Sequence, residues 1–286
     1  MVLLKQLFDA FCPLIISMIL ALAYQMLPVW GTFSGFDLQA GQAIEAQLGP
    51  NTLSCAQPTT IDMVRTCREF EQRILAATVR LEWREWDKDE AGHYRYVGGN
   101  IGFGTIKAGR YVITHNHIRL PLTGQSSTSE IKISVVTADG TYIWQNVPIS
   151  AVAIAMQQAQ TLTLDFGPEA ETKLFGPHGL ISAEFADWQS LPLRPGLEVA
   201  QVDWNGRVVQ IDWVPIDTVA VVEGLPRLEL ANFVAKGASG GGVFWHGYHI
   251  GNNWSRVTTY QKRDAQIVRR YSIVALNPAQ VTASPK

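Results

Sequence analysis

Residues 197–214 read LEVAQVDWNGRVVQIDWV, two runs rich in Val, Ile and Trp on either side of Asn205-Gly206. Asn-Gly between such runs is a strong hairpin signal, because both central positions of a type I′ turn need positive φ. The same pattern recurs outward in both directions. Val79 to Trp86 faces Tyr94 to Val97, Ile101 to Ile106 returns as Tyr111 to Thr114 through Ala108-Gly109, and Ile131 to Thr137 and Thr141 to Val147 flank Asp139-Gly140. Short alternating runs punctuated by turn residues, with no helical stretch of similar length, predict an all-β region from about residue 77. Gly176-Pro177, Gly179, Pro192 and Pro195-Gly196 break it near the middle, so two β halves are expected, about 77–175 and 180–275. No internal repeat is evident.

Composition agrees with a folded core. The 286 residues are 47% hydrophobic and 17% charged, which excludes a disordered, collagenous or coiled-coil chain. The formal net charge is −2, with 23 basic residues interleaved among 25 acidic ones, so no nucleic-acid partner is expected.

Upstream of the β region the pattern changes twice. Residues 11–30 (FCPLIISMILALAYQMLPVW) carry no formal charge, long enough to cross a bilayer as a helix. Lys5 precedes this segment and no Lys or Arg follows until Arg65, which puts the bulk of the chain outside the cytoplasm, periplasmic or at the cell surface. The apolar run continues past Ala21-Leu22-Ala23 through Met26, Leu27, Val29 and Trp30, which favours a retained anchor over a cleaved signal peptide and a secreted product. Residues 31–58 read as a tether, and Thr59 or Thr60 can cap a docking helix with an apolar stripe at Ile61, Val64, Cys67, Phe70 and Ile74. Residues 1–30 are thus anchor or signal, and 31–76 tether and docking helix. With Cys12 inside the apolar segment, Cys55 and Cys67 are the candidate disulfide, two buried free thiols being the alternative.

The chemistry centres on Gly237-Ala238-Ser239-Gly240-Gly241-Gly242. Glycines around a serine allow successive N–H groups to converge on one point, as a developing oxyanion requires. A serine hydroxyl is a poor nucleophile without a base, so a histidine decides the matter. His117 ends the apolar run Tyr111 to Ile118, in Thr114-His115-Asn116-His117.

Thr-x-x-His after a strand, followed much later by Gly-x-Ser-Gly-Gly, resembles the trypsin-like serine proteases, in particular their bacterial membrane-anchored or periplasmic branch. The resemblance covers roughly residues 77–275 and implies a double barrel of two Greek-key β-barrels. It implies His117 as general base, Ser239 as nucleophile, and an oxyanion hole from the N–H groups of Gly237 and Ser239. The family's acid usually opens a strand. Here Gln160 or Thr161 stands at that place, and Asp165 follows late, 48 residues after His117 and 74 before Ser239. Asp165 is the expected third member, because a carboxylate must hold the imidazole tautomer; otherwise Gln160 or Thr161 orients His117 weakly. Phe233, six residues before Ser239, falls at the base of the family's specificity pocket and implies an uncharged P1 side chain. Asn252, Asn253 and Trp254 fall on its substrate-pairing strand, making Asn253 and Trp254 substrate-binding candidates.

The rival reading of Gly-Ala-Ser-Gly-Gly, an α/β-hydrolase elbow, needs an acid and then a histidine downstream, and no histidine follows Asp264. His115 and His117 could share a metal, but no third ligand is evident, so no metal and no cofactor is expected. The expectation is a tethered serine endopeptidase acting on peptide or protein substrates, the alternative being a pseudoprotease kept as a binding or sensing module.

Overall fold

Val79, Leu81 and Trp83 are buried on one face of a strand, while Arg80, Glu82 and Arg84 between them are half-buried or exposed. This period-two pattern lays one face on a core. The strand is β1, Thr78–Lys88, in a computed structural model that describes residues 54–118, 129–260 and 267–277. It is followed by β2 (Tyr94–Lys107), β3 (Tyr111–His115), β4 (Ser129–Thr137), β5 (Tyr142–Pro148), β6 (Ala153–Gln157) and β7 (Thr161–Asp165). Their hydrogen-bonded order is β5-β4-β1-β2-β3-β7-β6. After the β1-β2-β3 meander the chain returns to lay β4 beside β1, which is a Greek key. Leu81, Ile106, Ile133, Leu162 and Leu164, all fully buried, share one core with Phe175.

The second sheet comprises β8 (Glu184–Phe185), β9 (Glu198–Trp204), β10 (Val209–Val222), β11 (Leu225–Leu230), β12 (Gly242–Trp245), β13 (Tyr248–Tyr260) and β14 (Ile267–Leu276), in the order β12-β9-β10-β11-β14-β13-β8. β12 lies beside β9, a second Greek key, and also pairs with β13, so the strands from β9 to β14 form a closed barrel. β8 adds to β13 in parallel. Val199, Ile216, Leu228, Val243 and Ile250 fill this barrel.

The all-β expectation holds, and one of the two expected barrels is a closed ring. Among the described residues no ladder joins β5 to β6, so the first sheet is not closed by hydrogen bonds. Both edges are irregular. The register of β5 on β4 shifts twice, and every residue of β6 is exposed. Residues 11–30, the tether as far as residue 53 and Cys12 lie outside the described residues. No described helix is long and apolar enough to cross a membrane.

The Asn205-Gly206 hairpin forms, with a different turn. Only Gly206 of the pair takes positive φ, at 91°. The Asn205 side-chain oxygen instead accepts from the N–H groups of Arg207 and Val208, each at 3.0 Å, an Asx-type turn that satisfies the loop without strain. Two-residue turns with both φ positive occur at Glu223-Gly224 (54° and 77°) and His246-Gly247 (47° and 83°).

Helix α1 (Ile61–Ala76) starts at Thr60, whose hydroxyl accepts from the Met63 N–H at 3.2 Å. Met63, Cys67 and Ile74 are buried, but Ile61, in the expected apolar stripe, is 88% exposed. Ile74 packs with Ala200, Val202 and Phe244, and Glu71 accepts from the Trp213 indole N–H at 2.8 Å, so the helix docks on the second sheet. Cys55 and Cys67 form a disulfide with Cα atoms 5.5 Å apart. The Glu198 carboxylate accepts from the Ser54 hydroxyl and from the Cys55 and Ala56 N–H groups, fixing the same segment to β9. Reducing the disulfide is expected to lower stability by about 3 kcal/mol, the chain-entropy value for so short a loop. Guanidinium midpoints with and without reductant measure this; coincident midpoints would contradict it.

Candidate active site

Ser239 lies in the loop from β11 to β12, where the glycines have conformational reasons to be glycine. Gly237 has φ 101° and Gly240 φ 83°, values L side chains rarely adopt. A Cβ on Gly240 would overlap the Phe103 carbonyl oxygen and the Thr114 hydroxyl and stand 2.9 Å from the His115 ring. The loop is therefore pressed against β2 and β3 of the first sheet. The Phe103 N–H donates to the Ser239 carbonyl at 2.8 Å, and the Thr114 hydroxyl donates to the Phe103 carbonyl. Beneath it Phe103, Trp204, Val234 and Ala238 form a small buried cluster, the Phe103 and Trp204 rings 5.7 Å apart.

The loop's N–H groups divide into two sets. Those of Ala238, Gly240 and Gly241 donate to Ala235, Asn253 and Ala238 carbonyls at 3.2, 2.7 and 3.0 Å. Those of Gly237 and Ser239 find no acceptor among the described residues, although both residues are half-buried. Two unspent donors on either side of Ala238, one of them on the serine itself, are the groups an oxyanion hole needs.

His117 sits in the short 3₁₀ turn Asn116–Ile118 that ends β3, and its imidazole is exposed. Its ring lies 5.7 Å from that of Trp254 and 4.8 Å from that of His115, between centroids. Trp254 directly follows Asn253, whose carbonyl and N–H hold Gly240 and Gly241, so His117 and Ser239 are brought to the same end of the interface between the two sheets. No hydrogen bond joins the two side chains among the described residues. Such bonds are often loose before substrate binds.

Asp165 is not beside His117. In the β3–β7 ladder His115 pairs with Thr161 and Tyr111 with Asp165, so Asp165 lies at the opposite end of the strand, about 13 Å away at a strand rise of about 3.3 Å per residue. Its carboxylate is bidentate to Arg110, at 2.6 and 2.5 Å, and accepts from the Gly167 N–H at 2.8 Å. The Arg110 guanidinium holds it below the usual carboxylate range, so it is committed there. The residues at the His117 end of β7 are Gln158, Ala159, Gln160 and Thr161. Gln160 accepts the Asn116 N–H through its backbone carbonyl at 3.2 Å, and no described carboxylate reaches His117.

His115, which the sequence marked only as a possible metal partner of His117, is 3% exposed. Its Nδ1 accepts the His117 N–H at 3.2 Å, which leaves the proton on Nε2, a buried atom without a described partner. Burial, then the neighbouring His117, pushes its pKa down to about 3, so the ring is neutral. It shapes the turn that presents His117. Among the described residues no three His, Cys, Asp or Glu side chains gather as a metal site.

Of the substrate-binding candidates, Trp254 faces His117 as described. Asn253 does not face a groove: it is 1% exposed, its side-chain oxygen accepts from Gln201 at 2.8 Å, and its Nδ2 donates to the Val202 carbonyl at 2.7 Å and to that of Ala238 at 3.4 Å. It braces the serine loop from below, and Asn232 extends the brace by donating to Gln201 and Asp212. Phe233 is half-buried, with the guanidiniums of Arg256 and Arg270 at 5.1 and 5.5 Å from its ring, cation–π geometry that holds two charges over it.

Fold and site together define a class: an all-β protein of two Greek-key sheets, with a glycine-bounded serine where the closed barrel meets the other sheet. No family model matches the chain, and no curated protein matches it. Among solved structures the chain is similar to a crystal structure of Deg5, at 15% identity and a TM-score of 0.49, covering 69% of this chain and 88% of that one.

Proposed function

We propose that this chain is a serine endopeptidase of the trypsin-like kind, tethered to a membrane and acting outside the cytoplasm. The observation that carries this reading is the pair of unspent N–H groups at Gly237 and Ser239, on a loop locked by Phe103 and Asn253 beside the His117 turn. His117 takes the hydroxyl proton as Ser239 Oγ attacks the scissile carbonyl carbon, and the oxyanion rests on the two N–H groups. On collapse the C–N bond breaks, His117 returns its proton to the leaving amine, and water, activated by the same imidazole, hydrolyses the acyl-enzyme. The Cys55–Cys67 disulfide supports an oxidising compartment. The charge-free segment at residues 11–30 is the proposed membrane anchor, with residues 31–58 as the tether.

A second reading has one observation in its favour. Asp165 is held by Arg110 and no described carboxylate backs His117, so the same fold suits a pseudoprotease that binds peptide without cleaving it. A fluorophosphonate probe separates the two readings. The full-length chain is expected to be labelled at Ser239, and Ser239→Ala to lose the label. An unlabelled parent chain would favour the binding module.

A further inference from the structure

Beside Lys236 and Gly237 of the serine loop, a cavity of about 410 Å³ opens between the β1–β2 hairpin and the second sheet. Arg84, Tyr96, Asn100, Trp204, Lys236 and Gly237 line it, so it touches one of the two residues whose N–H is unspent and is walled on the other side by the hairpin. Its charges do not cancel. Glu82, the carboxylate in its wall, is 12% exposed and already serves the Arg80 guanidinium at 2.7 Å and the Tyr142 hydroxyl at 2.9 Å, with Arg84 more distant at 3.8 Å. Behind the wall Arg80 lies 5.1 Å from the Trp204 ring, and the buried Asp203 carboxylate, which accepts from the Trp204 and Ala235 N–H groups at 2.7 and 2.9 Å, opposes it, so the surplus rests on Arg84 and Lys236. Lys236 is exposed and has no carboxylate partner among the described residues. The cavity thus offers a surplus of positive charge beside the Tyr96 and Trp204 side chains, two residues from Ser239 at Gly237. Arg256 and Arg270 over Phe233 add charge of the same sign near the same loop.

We infer that this cavity seats a carboxylate side chain of the bound polypeptide, between Lys236 and Arg84, so that the substrate is an acidic segment. The inference rests on the peptide-binding reading of the serine groove and names its substrate class. Aromatic walls lower the local dielectric and strengthen the attraction, and the open mouth admits a flexible chain.

The test uses the full-length chain carrying Ser239→Ala and three fluorescein-labelled decapeptides, identical except that acidic residues in one are lysines in the second and serines in the third. Anisotropy is expected to show the acidic peptide bound more tightly than either counterpart, the advantage shrinking at high salt. Lys236→Glu is expected to weaken acidic-peptide binding about fivefold, the scale of one partly exposed ion pair. Lys236→Arg should retain it, and Arg84→Gln should weaken it without charge reversal. Equal affinity for the three peptides, no binding of the acidic one, or an affinity indifferent to Lys236→Glu would each overturn the inference. The two readings fail separately. If the parent chain leaves the acidic peptide uncleaved while Lys236-dependent binding persists, the hydrolase proposal falls and the cavity stands. Cleavage without acidic preference sinks the cavity alone.

Discussion

Replacing His117 with alanine is expected to lower kcat by about 10²-fold on any peptide the chain cleaves, the part of the triad's effect left to an imidazole with no acid behind it, while Asp165→Asn leaves kcat within about twofold. The contrast follows from the ladder. His117 is the imidazole that stands by Trp254 at the serine end of β3, and without it Ser239 keeps its proton at neutral pH. Asp165 stands beside Tyr111 with both oxygens on Arg110, so its loss releases one guanidinium far from the reaction. Steady-state kinetics on the two variants, with folding checked by circular dichroism, measure the split. A loss from Asp165→Asn comparable to that from His117→Ala would restore Asp165 to the triad and contradict the register. With an amide or hydroxyl in place of the acid, turnover should be slow. Loss of the correct tautomer in serine proteases costs about 10⁴-fold, so Gln160→Asp is the substitution by which a stronger enzyme would be sought.

The error over Asp165 shows what the sequence can carry. Alternation in Val79 to Trp83 is visible because each inward side chain is apolar, and Gly237 and Gly240 are visible because their φ values demand glycine. Register between distant strands leaves no such mark. Thr161, Leu162, Thr163 and Leu164 alternate equally well whichever end meets His115, and only the β3 pairing decides it. The inward turn of Asn253 is hidden from the sequence for a related reason. Its place on β13 suited a substrate strand, but its side chain turns inward to Gln201 and to the Val202 carbonyl, partners about 50 residues earlier. The cavity at Lys236 joins Arg84, Tyr96 and Trp204 from three distant stretches, a convergence without a local pattern. His115 carried a signal that could have found it: in Val112-Ile113-Thr114-His115 it continues a buried run into the last strand residue.

Acid is expected to destabilise the protein from about pH 6.5 downward, starting above the range in which its carboxylates are protonated. His115 and His249 are both held neutral, their pKa values pushed down to about 3 chiefly by burial, with His117 adding to the effect at His115 and Lys107 at His249. His249 is fully buried between the rings of Phe185 and Phe244, with Asn252 on Nε2 at 3.2 Å and Asn277 on Nδ1 at 3.1 Å. In the unfolded chain each ring takes a proton near pH 6.5, so below that pH the unfolded state binds more protons and stability falls with pH. The stabilisation is fully present above about pH 6.5 and is lost progressively towards about pH 3, the two rings together costing about 5 kcal/mol between about pH 6 and pH 4. That is a large share of a typical folding free energy. The sign is opposite to that of a histidine with a carboxylate partner. Guanidinium titrations at both ends of the interval should show the drop, and His249→Gln should remove about half of it. A flat stability across this interval would mean the rings are not enclosed as described. Protonating His115 has a second effect, because a proton on Nδ1 opposes the His117 N–H it now accepts and disturbs the turn that presents the base.

The four-residue strand β12 does two jobs with one set of bonds. It zips the ring shut between β9 and β13, and it begins where the serine loop ends, with Gly241 already gripping Asn253. Unfastening that seam would carry the nucleophile away with it. A partly opened molecule could not retain a competent hydroxyl, so labelling of Ser239 by a covalent probe would double as a gauge of whether the ring is intact.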